Sequence, residues 1–177
     1  REVLGLLESF PRVGDVVDSW RVIALEPGVK PAAESSRNGR IGVLATQRTL
    51  ESERFQRLLG TYGQGREVFG QACTGLADAI ENDGPASARV AALLDRYVTP
   101  LAALQVDTVV LGCTHYPWAS AEIARRLPPE TSLVDTGEAV ARQLTRRLQA
   151  EHCAGGGHSR LLAGASVEPA TLAEKIE

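Results

Sequence analysis

The run Thr108-Val109-Val110-Leu111-Gly112-Cys113-Thr114-His115-Tyr116-Pro117 constrains this chain more than any other stretch. Four apolar or β-branched residues follow one another without alternation, the pattern of a parallel strand covered on both faces. Gly112 permits close backbone approach, and Pro117 blocks simple continuation of a strand. Ligands in open α/β sheets bind at the carboxyl ends of strands, which is where Cys113, Thr114 and His115 fall. A thiol becomes a useful base when its surroundings favour the thiolate, and an imidazole two residues away points to acid–base chemistry. The plainer alternatives are a buried structural cysteine at 113 and a capping or surface histidine at 115.

Strands and helices alternate through the rest of the sequence. Val22 to Leu25, Arg40 to Ala45, Glu67 to Ala72 and Ser132 to Val134 read as further short strands. Between them, Phe55, Leu58 and Leu59 share a helical face behind a cap at Thr49, and Leu76, Ala77 and Ile80 mark a short helix. Val90, Leu93, Leu94 and Tyr97 have helical spacing after Pro85, with Pro100 expected to interrupt them. Ala119 to Leu127 predicts a helix stopped by Pro128-Pro129, and Thr136 opens another reaching about Ala150. Leu4 to Phe10 looks like a helix end; Arg160 to Ala163 and Pro169 to Ile176 predict a last strand and helix. The alternation implies an α/β fold with largely parallel sheets.

With 177 residues, of which 44% are hydrophobic and 23% charged, a packed core is feasible and disorder is not expected. A net charge of −3 supplies no basic field, which argues against nucleic acid as a partner. Charges interrupt every apolar run well short of the ~18 residues of a membrane span. Three widely spread cysteines form no disulfide framework and fit a reducing cytoplasm. Because the chain begins with Arg1 and contains no methionine, it reads as a fragment or a trimmed product.

Other candidates are weaker on their own. Cys73 also ends a strand but has no base beside it, so a structural role is favoured. Glu81 could point into a cleft, although helix-terminal glutamates are mostly solvated. Thr46 and Thr49 could offer hydroxyls to a carboxylate, with helix capping the simpler reading of Thr49. His152, Cys153 and His158 lack the paired spacing of a structural zinc site, so no metal is expected. Gly60, Gly63 and Gly65 follow a helix rather than opening one after a strand, so they make no dinucleotide fingerprint.

Taken together, the segments resemble glutamate racemases of the aspartate/glutamate racemase family. The resemblance rests on Gly112-Cys113-Thr114-His115-Tyr116-Pro117 and on Glu26-Pro27-Gly28-Val29-Lys30-Pro31-Ala32. It also rests on Asn38 to Thr46 with Thr49, on Ala72-Cys73 with Ile80-Glu81, and on Leu133-Val134-Asp135-Thr136-Gly137-Glu138. These lie in family order from about residue 20 to 150. The resemblance implies a cofactor-independent, cytoplasmic racemase that makes D-glutamate for peptidoglycan. It implies two pseudo-symmetric three-layer α/β domains with the site between them, and it leaves a homodimer open. Cys113 matches one of two catalytic thiols, His115 the residue assisting it, and Glu81 an acidic residue that helps set up the site. Thr114, Thr46 and Thr49 match substrate-binding positions, and His115 also borders the substrate. Cys73 matches a common residue that is not the catalytic thiol.

No Ala-Cys-Asn-Thr segment, which carries the family's other catalytic cysteine, occurs in the 177 residues. On this reading residues 1–33 and 136–177 belong to an incomplete first domain and residues 34–135 form the second. The chain alone is then expected to be inactive. Alternatives are a racemase of aspartate or another small amino acid, although aspartate racemases usually carry an acidic residue at the His115 position, and a non-catalytic remnant.

Overall fold

A computed structural model describes residues 27–150. The expected strand at Val22 to Leu25, the helix end at Leu4 to Phe10, the His152/Cys153/His158 group and the last strand and helix lie outside the described residues. The elements run α1 (Val29–Ser35), β1 (Arg40–Ala45), α2 (Gln47–Glu51), α3 (Glu53–Tyr62), β2 (Glu67–Ala72), α4 (Leu76–Asp83) and α5 (Ala88–Ala103). They continue with β3 (Thr108–Leu111), a 3-10 turn (Tyr116–Ala119), α6 (Ser120–Ala124), β4 (Ser132–Asp135) and α7 (Thr136–Ala150). By contacts the chain divides into two units, Arg1–Leu144 and Thr145–Glu177. The first holds the sheet; the described part of the second is the end of α7.

The four strands form one parallel sheet in the order β2-β1-β3-β4, so the α/β expectation holds. Successive strand residues face opposite sides, and two apolar clusters result. Ile41, Val43, Ala45 and Val110 pack against Val29, Ala32 and Ala33 of α1 and Phe55 of α3. Leu44, Val109 and Leu111 pack on the other face against Leu76 and Ile80 of α4, Val90, Leu94 and Leu101 of α5, and Ile123 of α6. All four residues of β3 are buried, as the unalternating run required. Gly42 lets α5 settle on the sheet: a Cβ there would stand 3.0 Å from a Leu101 methyl and 3.2 Å from one of Val109.

Three local expectations need correction. Thr49 is not the cap of the helix behind it. Thr46 caps α2 by accepting from the Thr49 amide, and Ser52 caps α3 by accepting from the Phe55 amide. The sequence offered three hydroxyls within seven residues, and only the break between α2 and α3 decides which ones cap. Pro100 does not interrupt α5, which runs through it to Ala103. The ring forfeits one bond to the Arg96 carbonyl, but burial of Val98 and Leu101 against the sheet carries the helix through it. The helix expected over Ala119 to Leu127 starts as a 3-10 turn and ends its α part at Ala124. Pro128 disfavours helical backbone at Leu127, so that end tightens into i+3 bonds such as Leu127 to Ala124.

At the amino ends of the strands Asp107 acts as a clamp. Its carboxylate accepts from the Ser36 hydroxyl at 2.7 Å, the Arg37 and Asn38 amides at 2.6 and 2.7 Å, and the Thr108 hydroxyl at 3.0 Å. Burial by itself would raise its pKa, but these donors outweigh it and hold the carboxyl below its ordinary value. A depressed folded pKa means stability is fully present above the ordinary carboxylate range and drains away as pH falls through the folded value. Asp107→Ala is expected to cost about 2 kcal/mol at pH 7, because two backbone amides lose their acceptor. Urea unfolding at pH 7 and in acid checks this, with the gap to the unmodified chain narrowing below about pH 4.

Candidate active site

The sheet order contains one reversal. From β1 the chain turns by α2 and α3, on the Phe55 side, to reach β2. From β3 it turns by α6, on the Ile123 side, to reach β4. The loops leaving the carboxyl ends of β1 and β3 therefore part to opposite faces, and the switch point between them is where the ligand crevice of such sheets is expected. Thr46 and Thr49 come from the first loop; Cys113, Thr114 and His115 come from the second.

Gly112 holds the second loop against β1. Its amide donates to the Leu44 carbonyl at 2.8 Å, and a Cβ added to it would lie 2.9 Å from that same oxygen. Just beyond, Cys113 Sγ stands 3.8 Å from His115 Nδ1, and His115 Nε2 stands 3.0 Å from Glu81 Oε2. Glu81 arrives from α4, 34 residues earlier in the chain. A carboxylate can only accept, so Nε2 donates to Glu81, and in the neutral ring Nδ1 is the free acceptor facing the thiol. The thiol, imidazole and carboxylate are thus in series, an arrangement able to take the proton from sulfur and stabilise the imidazolium that forms. Cys113 and His115 are half-buried, while Thr114 is exposed.

The Thr46 and Thr49 hydroxyls touch at 2.8 Å, both part-buried at the end of β1. One hydroxyl donating to the other leaves its partner's proton free for a ligand oxygen. The sequence-derived candidates therefore form two groups in the structure: Cys113 with His115 and Glu81, and Thr46 with Thr49, on loops bounding the same crevice.

Cys73 differs from Cys113 in burial. It is 2% exposed, and burial pushes its thiol up to about 12. Such a group remains protonated at neutral pH and cannot serve as a base. Cys73 also follows β2 while Cys113 follows β3, with β1 between them. At about 4.8 Å per strand their backbones are too far apart for a disulfide. Among the described residues no three His, Cys, Asp or Glu side chains cluster as metal ligands, and no helix is long and apolar enough to cross a membrane.

Two side chains beside the crevice carry no distinguishing signal in the sequence. Tyr116 is fully buried and its hydroxyl donates to the Cys73 carbonyl at 3.4 Å, tying the loop after β3 to the loop after β2. Trp118, two residues on, is 64% exposed beside the His115 ring. Both would pass for core aromatics when read as letters.

Comparison with known proteins agrees with this architecture. The family model described as Asp/Glu/Hydantoin racemase matches residues 22–144. Glutamate racemase of Pseudomonas syringae pv. tomato is 45% identical over 141 residues, which is 80% of this chain and 51% of that relative. A crystal structure of Escherichia coli glutamate racemase, in complex with L-glutamate and the activator UDP-MurNAc-Ala, superposes with a TM-score of 0.67 at 30% identity. That match covers 80% of this chain and 53% of the other. Glutamate racemase from Thermus thermophilus, in complex with β-chloro-D-alanine, gives a TM-score of 0.70 at 26% identity, covering 94% of this chain and 62% of the other. The chain spans about half the length of the curated relatives it matches. With the matched region extending over more than half of its residues, the chain belongs to the Asp/Glu/hydantoin racemase family.

Proposed function

We propose that this chain carries one catalytic half of a cofactor-independent glutamate racemase, an enzyme that interconverts L- and D-glutamate by proton transfer at the α-carbon. The observation that carries the reading is the Cys113–His115–Glu81 series, at 3.8 and 3.0 Å, on the loop leaving β3. The Cys113 thiol passes its proton to His115 Nδ1, and the thiolate removes the α-proton of the bound amino acid. Glu81 holds the resulting imidazolium and fixes the ring. Thr46, Thr49 and Thr114 supply hydroxyls for the substrate carboxylate. The carbanion beside a carboxylate is costly, so the pocket must offer donors and exclude water.

Inversion needs a second acid on the opposite face of the carbon. Among the described residues Cys73 is the other cysteine, and it is a poor candidate, since its thiol is buried and follows a strand of the same sheet as Cys113. The 177 residues contain no Ala-Cys-Asn-Thr segment to provide one. We therefore predict α-hydrogen exchange without inversion. Purified chain in deuterated water should incorporate deuterium into one enantiomer of glutamate with its configuration retained, followed by proton NMR and chiral chromatography. Racemisation of either enantiomer at an enzymatic rate would sink the single-thiol reading, and no exchange of either would sink the assignment of Cys113 as a working base.

A further inference from the structure

Trp118 leaves 64% of its indole exposed, so its own burial does not account for where it sits. Trp118 holds this position in a tightly defined way. Its amide donates to the His115 carbonyl at 3.2 Å, closing the 3-10 turn that seats position 118 beside position 115. The indole and imidazole centroids lie 6.1 Å apart with the planes inclined by 63°, an edge-on pair within the favourable range for aromatic rings. Among the described residues this is the one ring-to-ring contact. With the indole in place the His115 side chain keeps 31% exposure, so the ring is only partly enclosed by its neighbours.

We propose that Trp118 is a positioning residue for the thiol–imidazole–carboxylate series. The indole packs along one side of His115 and confines the ring to the orientation in which Nε2 meets Glu81 and Nδ1 meets Cys113. Glu81 fixes one ring atom; the edge-on contact with the indole constrains the ring at a second point. The exposed aromatic then acts through what it does to its neighbour rather than through its own burial. This rests on the reading of His115 as the partner of the Cys113 thiol.

The test uses the full chain and needs no turnover. Alkylation of Cys113 by iodoacetamide is followed from pH 5.5 to 9.5 by peptide mass spectrometry, which separates it from the other cysteines. Four proteins are compared: the unmodified chain, His115→Asn, Trp118→Ala and Trp118→Phe, each checked by circular dichroism for an unchanged fold. His115→Asn is expected to move the midpoint of the alkylation profile. Trp118→Ala should move it in the same direction by about half a pH unit, a threefold change in thiolate at fixed pH, and Trp118→Phe should restore it. If His115→Asn moves the midpoint while Trp118→Ala leaves it in place, the positioning role is wrong and the thiol–imidazole pairing stands. A rate changed equally at every pH in Trp118→Ala would mean the indole merely shields the thiol, which also overturns the proposal. Should His115→Asn itself leave the midpoint unmoved, the pairing fails and the role of Trp118 with it.

Discussion

Replacing Cys113 by serine is expected to lower deuterium incorporation at the glutamate α-carbon by about 10²–10⁴-fold, the usual contribution of a positioned acid–base group. A serine hydroxyl is slightly smaller than the thiol, so the fold should survive, although its oxygen would stand too far from Nδ1 to replace the 3.8 Å sulfur contact. What changes is the basicity available at neutral pH: a thiol yields a thiolate there, whereas a hydroxyl does not. The comparison isolates the sulfur from the geometry around it. Cys73→Ser is its control. Because that thiol is buried and held near pKa 12, its loss should alter stability and leave the exchange rate within about twofold. If Cys113→Ser exchanged at the unmodified rate, the working base would have to be another group.

The second large effect is expected from Gly112→Ala, a single methyl with two consequences. The new Cβ would lie 2.9 Å from the Leu44 carbonyl oxygen and 3.1 Å from the Ala45 Cβ, and neither can give way without moving β1. Overpacking of this kind costs about 1–3 kcal/mol, read as a lowered urea midpoint. The relief comes from shifting the loop after β3 outward, which carries Cys113 away from its place in the crevice. A displacement near 1 Å at a reacting atom costs about 10²-fold, so exchange should fall much further than the stability loss alone would dictate. Assaying without urea, at a temperature well below unfolding, separates the two. A variant that is destabilised but exchanges normally would show that the position of Cys113 does not depend on the closeness of Gly112 to β1.

These two residues also mark how far the letters carry. The uninterrupted run Thr108 to Leu111 announces a doubly covered parallel strand, and the structure buries all four residues. Glycine followed by cysteine, threonine and histidine at its end marks the close approach and carries the acid–base chemistry proposed above. The pairing of His115 with Glu81 is different. Nothing local ties residues 34 apart in sequence, and α4 brings the carboxylate over only because Leu76 and Ile80 pack on the same face as Leu111. Glu81 was legible through resemblance, not through its own surroundings in the sequence.

The same division runs through the rest of the molecule. Sequence by itself determined the described strands, the helical faces and the family resemblance, because each is set by the order and type of neighbouring residues. Tertiary structure decided which hydroxyl caps α2, whether Pro100 ends a helix, and that Cys73 is shut away two strands from Cys113. It also placed the crevice, since the parting of the loops after β1 and β3 depends on which face each connecting helix covers. Those outcomes are settled by contacts between segments far apart in the chain, where packing and hydrogen-bond geometry, rather than local preference, choose among arrangements that the sequence leaves open.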